Sequence, residues 1–111
     1  MTLEITGDEE TVYVIMPKRM DAENAPSLEQ DLKALALWKS PVVVFDFSST
    51  DYIASAGLRV LLVTIRTLGK SGAKTGLAGL KPQVYKVFDM AGFTQIFSIF
   101  KTREEAVAKL G

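Results

Sequence analysis

The side chains that could do chemistry in this chain are hydroxyls and carboxylates gathered in one short stretch. Residues 45–62 read FDFSSTDYIASAGLRVLL, with Ser48, Ser49, Thr50 and Ser55 among Asp46 and Asp51. A hydroxyl becomes a nucleophile only beside a base, usually histidine, and thiolate chemistry needs cysteine. The chain has neither residue. Zinc, copper and haem lose their usual ligands as well, which leaves carboxylates and carbonyls for a hard cation. Asp21, Asp46 and Asp51 could gather around magnesium, but nothing in their spacing demands it. No enzyme activity, metal or cofactor is therefore expected. What remains open to Ser55 is either to cap the helix that starts there or to accept a phosphoryl group. A helix N-terminus carries unpaired N–H groups and a partial positive charge, so it tolerates a phosphate without dismantling the fold.

The elements around these residues follow from periodicity. Leu3–Thr6 and Thr11–Met16, joined by the acidic turn Gly7–Glu10, predict a β-hairpin. Asn24, Ala25, Pro26 and Ser27 offer two candidate caps and a first-turn proline, and Leu28, Leu32 and Leu35 mark one face of a helix that Lys39–Pro41 ends. Val42–Phe45 is a continuous apolar run, the pattern of a central strand buried on both faces. The helix over about 55–70 has its inner stripe at Leu58, Leu61, Leu62, Ile65 and Leu68, and Gly69 or Gly72 stops it. Leu77–Leu80 reads as a strand, and Pro82 opens a helix that turns Val84, Val87 and Phe88 inward. Gly92 closes that helix with Phe93 packing back on Phe88. Ile96–Phe100 is a last strand, and Thr102 with Glu105 makes a capping box for a C-terminal helix with Ala106, Val107 and Leu110 inside. The order ββαβαβαβα predicts an α/β sandwich, a mixed sheet covered by about four helices, in one domain over 1–111.

Charge and length narrow the function classes further. Thirteen basic residues balance thirteen acidic ones over 111 residues, without a basic run, so direct nucleic-acid binding is not expected. No apolar stretch reaches the roughly 20 residues of a membrane span, and the acidic N-terminus is unlike a signal region, so the chain reads as cytoplasmic. LGKSGAKT mimics a phosphate-binding loop but places Leu68 and Ala73 where glycines belong, and it runs from helix to strand rather than strand to helix. Val60, Val63, Thr64 and Thr67 lie opposite the inner stripe and are more apolar than a solvated face needs. They form either a docking strip or a face covered by another helix. Arg59, Arg66 and Lys70 share a flank that could meet an acidic partner or stay solvated. Trp38 reads as a helix-end packing residue.

The order, the length and the segments VVVFDFSSTDYIASAGLRVLL, MDAENAPSLEQDL and LAGLKPQVYKVFDMAGFTQIFSIF resemble the STAS domain, most closely the stand-alone anti-sigma factor antagonists of bacteria. Taken alone, Ser55 is a helix N-cap. The resemblance implies instead that it is the serine phosphorylated by a partner anti-sigma kinase, with Gly57 and Leu58 fixing the alignment and Ala54 and Ala56 standing where acids or serines are common. It implies a partner switch. The unphosphorylated protein binds a GHKL-type serine/threonine kinase and frees the sigma factor, phosphorylation dissolves that complex, and a PP2C-type phosphatase restores the active form. It further implies that Asp21 and Asp46 flank the switch, while Asp46 and Ser48 can hold the preceding loop by bonding backbone N–H groups. The expected partner surface is Asp21, Asp46, Ser48, Ser55, Gly57, Arg59, Val60, Val63 and Thr64. The alternative is a STAS module that docks constitutively on a transporter, lipid-transport or stressosome-like assembly.

Overall fold

The central strand and its neighbours set the architecture. In the computed structural model, which describes residues 3–37 and 39–111, β1 (Glu4–Gly7) and β2 (Thr11–Ile15) form the antiparallel hairpin. Asp8 closes its turn, its Oδ1 accepting the N–H groups of Glu10 at 2.9 Å and Thr11 at 3.0 Å. Val12 and Val14 point inward along β2 while Thr11, Tyr13 and Ile15 stay half-buried, the alternation expected of a sheet strand. β4 (Val42–Asp46) is buried at every position. It pairs in parallel with β2 on one side and β6 (Lys74–Ala78) on the other. β7 (Ile99–Phe100) extends the sheet in parallel beyond β6, giving the order β1-β2-β4-β6-β7.

Helices cover both faces. Val43 and Phe45 of β4 join the main core with Leu28 and Leu32 of α1 (Ala25–Lys33), Leu58 and Leu61 of α2 (Ser55–Lys70), and Val84 and Phe88 of α3 (Pro82–Met90). Val42 and Val44 point the other way, against Ala78 and against Ala106 of α4 (Arg103–Leu110). Thr102 caps α4 by accepting the Glu105 N–H at 3.1 Å. α2 ends in a Schellman turn. The Ala73 N–H reaches the Leu68 carbonyl at 3.1 Å and the Gly72 N–H reaches the Gly69 carbonyl at 3.0 Å, with Gly72 left-handed at φ 89°. Gly72, not Gly69, is therefore the stop.

Several boundaries move from where the sequence puts them. The first α-helix ends at Lys33 and tightens into a 3₁₀ turn over Ala34–Leu37. The chain must then reverse before Pro41, where Lys39 takes φ 53°, and a proline disfavours helical backbone in the residue before it. β6 spans Lys74–Ala78 rather than Leu77–Leu80. Lys74, Thr75 and Gly76 are extended because they pair with Val42, Val43 and Val44, and Gly79 at φ 74° turns the chain away. The last strand shortens to Ile99–Phe100 because Phe93–Gln95 forms a 3₁₀ turn. Gly92 closes α3 as expected, at φ 78°. Phe93 meets Phe97 edge-on at 5.4 Å, and Phe97 in turn meets Phe88 at 5.9 Å. Trp38 lies outside the described residues.

Candidate functional site

The segment that leads from the central strand to Ser55 is tied down almost residue by residue. Asp46 ends β4 and accepts the Ser48 N–H at 2.9 Å on one carboxylate oxygen and the Arg103 Nε–H at 2.7 Å on the other. Thr50, fully buried, donates its hydroxyl to the Pro17 carbonyl at 2.7 Å. The Asp51 N–H bonds the Lys18 carbonyl at 2.8 Å. A two-stranded parallel pair follows that the sequence pattern does not reveal, β3 (Arg19–Met20) with β5 (Tyr52–Ile53). Its last rung is the Ala54 N–H on the Met20 carbonyl at 2.8 Å. The Arg19 guanidinium lies 4.7 Å from the Tyr52 ring centroid and caps this pair from outside.

Ser55 emerges from that anchor exposed to solvent. It does not cap α2. Ala54 is the cap residue, at φ −109° and ψ 173°, and its carbonyl takes the Leu58 N–H at 3.1 Å, so Ser55 is the first helical residue. The boundary falls there because the Ala54 N–H is committed to Met20, which holds Ala54 extended. Residues 55–57 keep N–H groups with no intrahelical carbonyl to bond. Gly57 lets the helix mouth sit against β3. A Cβ at that position would lie 2.8 Å from Met20 Cβ, 3.1 Å from the Met20 carbonyl oxygen and 3.2 Å from Ile53 Cγ1.

Beyond Gly57, α2 runs beside α1 with a surface groove between them. Near the helix mouths the groove is lined by Ala22, Pro26, Glu29, Ser55, Arg59 and Val60. Further along, Glu29, Leu32 and Lys33 face Val63, Thr64, Thr67 and Leu68. Of the proposed strip, Val60 is buried at 6 % exposure whereas Val63 is 54 % exposed. The two readings of that strip divide along the helix, with Val60 covered inside the domain and Val63 open. The Thr64 and Thr67 hydroxyls donate to the Val60 and Val63 carbonyls at 2.8 and 2.9 Å. Their polar atoms are thus used by the helix itself, which leaves the groove wall largely apolar.

The family model for the STAS domain matches residues 2–106. This chain belongs to the STAS domain family. It is 39 % identical over 89 residues, covering 80 % of this chain and 77 % of the relative, to BtrV of Bordetella bronchiseptica, a protein provisionally named an anti-sigma factor antagonist. The crystal structure of an anti-sigma factor antagonist from Mycobacterium paratuberculosis superposes with a TM-score of 0.87 at 25 % identity, covering 98 % of this chain and 92 % of that one. The antagonist SpoIIAA in its unphosphorylated form has the same fold, with a TM-score of 0.77 at 21 % identity over 97 % of this chain and 95 % of that one. SpoIIAA has also been solved phosphorylated, with a TM-score of 0.70 at 20 % identity, 99 % of this chain and 100 % of that one.

Within this STAS domain the expected site residues separate into two groups. Asp21 lies next to Met20, beside the Ala54–Ser55 link, and heads the turn into α1. Its Oδ1 accepts the N–H groups of Glu23 and Asn24, each at 3.1 Å, while its own N–H bonds Asn24 Oδ1 at 2.9 Å. Ser55, Gly57, Arg59, Val60, Val63 and Thr64 follow on α2. Asp46 and Ser48 stand apart. Asp46 shares the sheet face of Val42 and Val44, so its carboxylate points at α4 rather than at the Ser55 helix. It holds the loop from behind by accepting the Ser48 N–H, so of the two residues expected to bond loop N–H groups Asp46 does so while Ser48 supplies the donor. Burial raises the Asp46 carboxyl, but the bonds from Ser48 and Arg103 outweigh it and leave the group below its ordinary value. The Asp51 carboxylate is bonded by Lys81 and lies 3.7 Å from Lys18. The Lys81 bond, against some desolvation, lowers its carboxyl too.

Asp21, Asp46 and Asp51 thus have separate cation partners, Arg19 for Asp21, Arg103 for Asp46, and Lys81 with Lys18 for Asp51. Among the described residues no group of three or more carboxylates gathers in a way that could hold a metal ion, and no helix is long and apolar enough to cross a membrane. Sequence reasoning missed Arg19, Lys81 and Arg103, and it named Thr50 only as a free hydroxyl, not as the buried donor to Pro17. None of these roles had a local signal, because Thr50, Lys81 and Arg103 bond partners 30 or more residues away and Arg19 acts through the short β3–β5 pair.

Proposed function

We propose that this STAS domain is an anti-sigma factor antagonist that works by partner switching at Ser55. Unphosphorylated, it binds an anti-sigma serine/threonine kinase of the GHKL type through the mouth of α2 and the α1–α2 groove, and so releases a sigma factor. Phosphorylation of Ser55 by that kinase dissolves the complex. A PP2C-type phosphatase resets the switch. The observation that carries this reading is the presentation of Ser55: exposed, at the first helical position, on a backbone pinned by the β3–β5 pair. A kinase can reach the hydroxyl without unfolding anything, and the new group enters the contact surface directly.

Phosphorylation adds about −1.5 to −2 charges and three acceptor oxygens at one point. A partner surface shaped to a neutral hydroxyl would have to desolvate that charge, and a loss of roughly 3 kcal/mol changes affinity by more than a hundredfold. The relatives named as antagonists support the role, and SpoIIAA supports the idea that the fold tolerates the phosphorylated state. The test is intact mass and site mapping of the protein recovered from its own cells, wild type against Ser55→Ala. A single phosphoryl addition that maps to Ser55 and disappears in the variant is the expected result. No addition under several growth conditions would overturn the switch and leave constitutive docking on an assembly as the function.

A further inference from the structure

We propose that Arg59 grips the phosphoryl group on Ser55, closing an i,i+4 pair along the first turns of α2. This rests on the reading of Ser55 as a phosphorylated residue. Residues four apart on a helix are surface neighbours, with Cβ atoms about 5–6 Å apart. Helical side chains lean toward the N-terminus, so the guanidinium of Arg59 reaches back over Ser55 and not away from it. The order is also the favourable one, anion before cation along the chain. Both residues are exposed and line the same end of the α1–α2 groove.

The cations nearest this end already have acidic partners, and the carboxylate of the groove wall has a basic one. Arg19 lies over Tyr52 and 3.5 Å from Asp21. Lys18 and Lys81 share Asp51. Glu29, the carboxylate of α1 that lines the groove beside Arg59, sits 3.7 Å from Lys33 on its own helix. Arg59 makes no ion pair among the described residues, and so is the cation left to meet a new dianion four residues upstream. Guanidinium and phosphate match as a planar fork and a set of oxygens, which a lysine at this position would reproduce only as a point charge. The consequence for switching is that one modification alters two contact residues of the groove, the hydroxyl of Ser55 and the free guanidinium of Arg59.

The test encodes phosphoserine at position 55 during translation and follows its phosphorus resonance through a pH titration. The expected result is a midpoint for the second phosphate ionisation that rises by about 0.3 unit in Arg59→Gln, the shift of one helical ion pair. Arg59→Lys should recover part of it and Arg66→Gln, three turns along α2, should leave it unchanged. A midpoint in Arg59→Gln equal to that of the wild type would refute the pair. An equal rise in Arg66→Gln would also refute it, by showing a general effect of net charge. Because the phosphoserine is installed without a kinase, failure of this pair and absence of phosphorylation in cells are separate results.

Discussion

Two glycines of α2 make the position of the Ser55 helix mouth testable by one substitution applied twice. Glycine inside a helix is about 0.8–1.0 kcal/mol worse than alanine, so Gly→Ala stabilises wherever the added methyl group has room. At Gly69 it has room, since no atom lies within 4 Å of the added carbon. Gly69→Ala should therefore gain about 0.5–1 kcal/mol. At Gly57 the same carbon would stand 2.8 Å from Met20 Cβ and 3.1 Å from the Met20 carbonyl oxygen, against about 3.5–4.0 Å for relaxed carbon contacts. Neither atom is the end of a flexible side chain, and the Met20 carbonyl is the acceptor for Ala54. Overpacking of this kind costs about 1–3 kcal/mol, which exceeds the propensity gain. Gly57→Ala should lose about 1 kcal/mol net, or about 4–8 °C in Tm for a domain near this size. The assay is urea unfolding followed by far-UV circular dichroism, both variants beside the wild type. If Gly57→Ala stabilises as much as Gly69→Ala does, α2 does not press on β3 and Ser55 is not anchored through that contact.

The remaining predictions address the core, the rear anchor and the switch. Leu61→Ala should cost about 2–5 kcal/mol by opening a cavity at a fully buried position, and an unchanged melting point would mean that the inner face of α2 is misassigned. Asp46→Asn should cost about 1–2 kcal/mol at neutral pH, a charged hydrogen bond discounted because Arg103 is partly exposed. The folded carboxyl titrates below its ordinary value, so its contribution is present above the unfolded pKa of about 3.9 and fades as pH falls through the folded value. Urea midpoints measured from neutral pH into acid should therefore converge for wild type and Asp46→Asn, and a constant gap would contradict the ion pair. Ser55→Asp should leave stability within about 1 kcal/mol, because the side chain is exposed and makes no capping bond, while it abolishes binding to the kinase in a pull-down. Retention at wild-type affinity would argue against a charge-operated switch.

How much of this was legible in the sequence depends on whether the signal was local. The run Val42–Phe45, the spacing of Leu58, Leu61 and Leu68, and Pro82 opening α3 each state a pattern within a few residues, and each element formed where it was read. β3 and β5 have two residues each, too few to show a period, and exist only because their ladder is completed across the fold. Lys74–Gly76 is a strand by pairing with β4, not by composition. Serine is a favoured cap, which makes Ser55 a cap candidate by local pattern, but the cap position is decided by Met20, 34 residues before Ala54. Val60 shows a different limit. A helical projection places it opposite the inner stripe, yet α2 is packed by the sheet on one side and by α1 on another, so a second stripe is buried. Asp46 was readable after all, since it has the parity of Val42 and Val44 and must leave the sheet on their side.

The charges around the helix mouth bear on how the proposed switch at Ser55 would be read by a partner without rebuilding the domain. Asp51 lies four residues before Ser55 and would repel a phosphate if it stood free. It is bonded by Lys81 and flanked by Lys18, and Asp21 is flanked by Arg19, so the local field from the acids is largely compensated before any modification occurs. The backbone that carries Ser55 is fixed by main-chain bonds to Lys18 and Met20, none of which involves the hydroxyl. Phosphorylation therefore removes no contact inside the domain and meets little fixed repulsion. In the proposed switch the free energy of the added dianion would be expressed where it must be desolvated, at a partner surface on the α1–α2 groove, and an affinity change of orders of magnitude would need no conformational change to produce it.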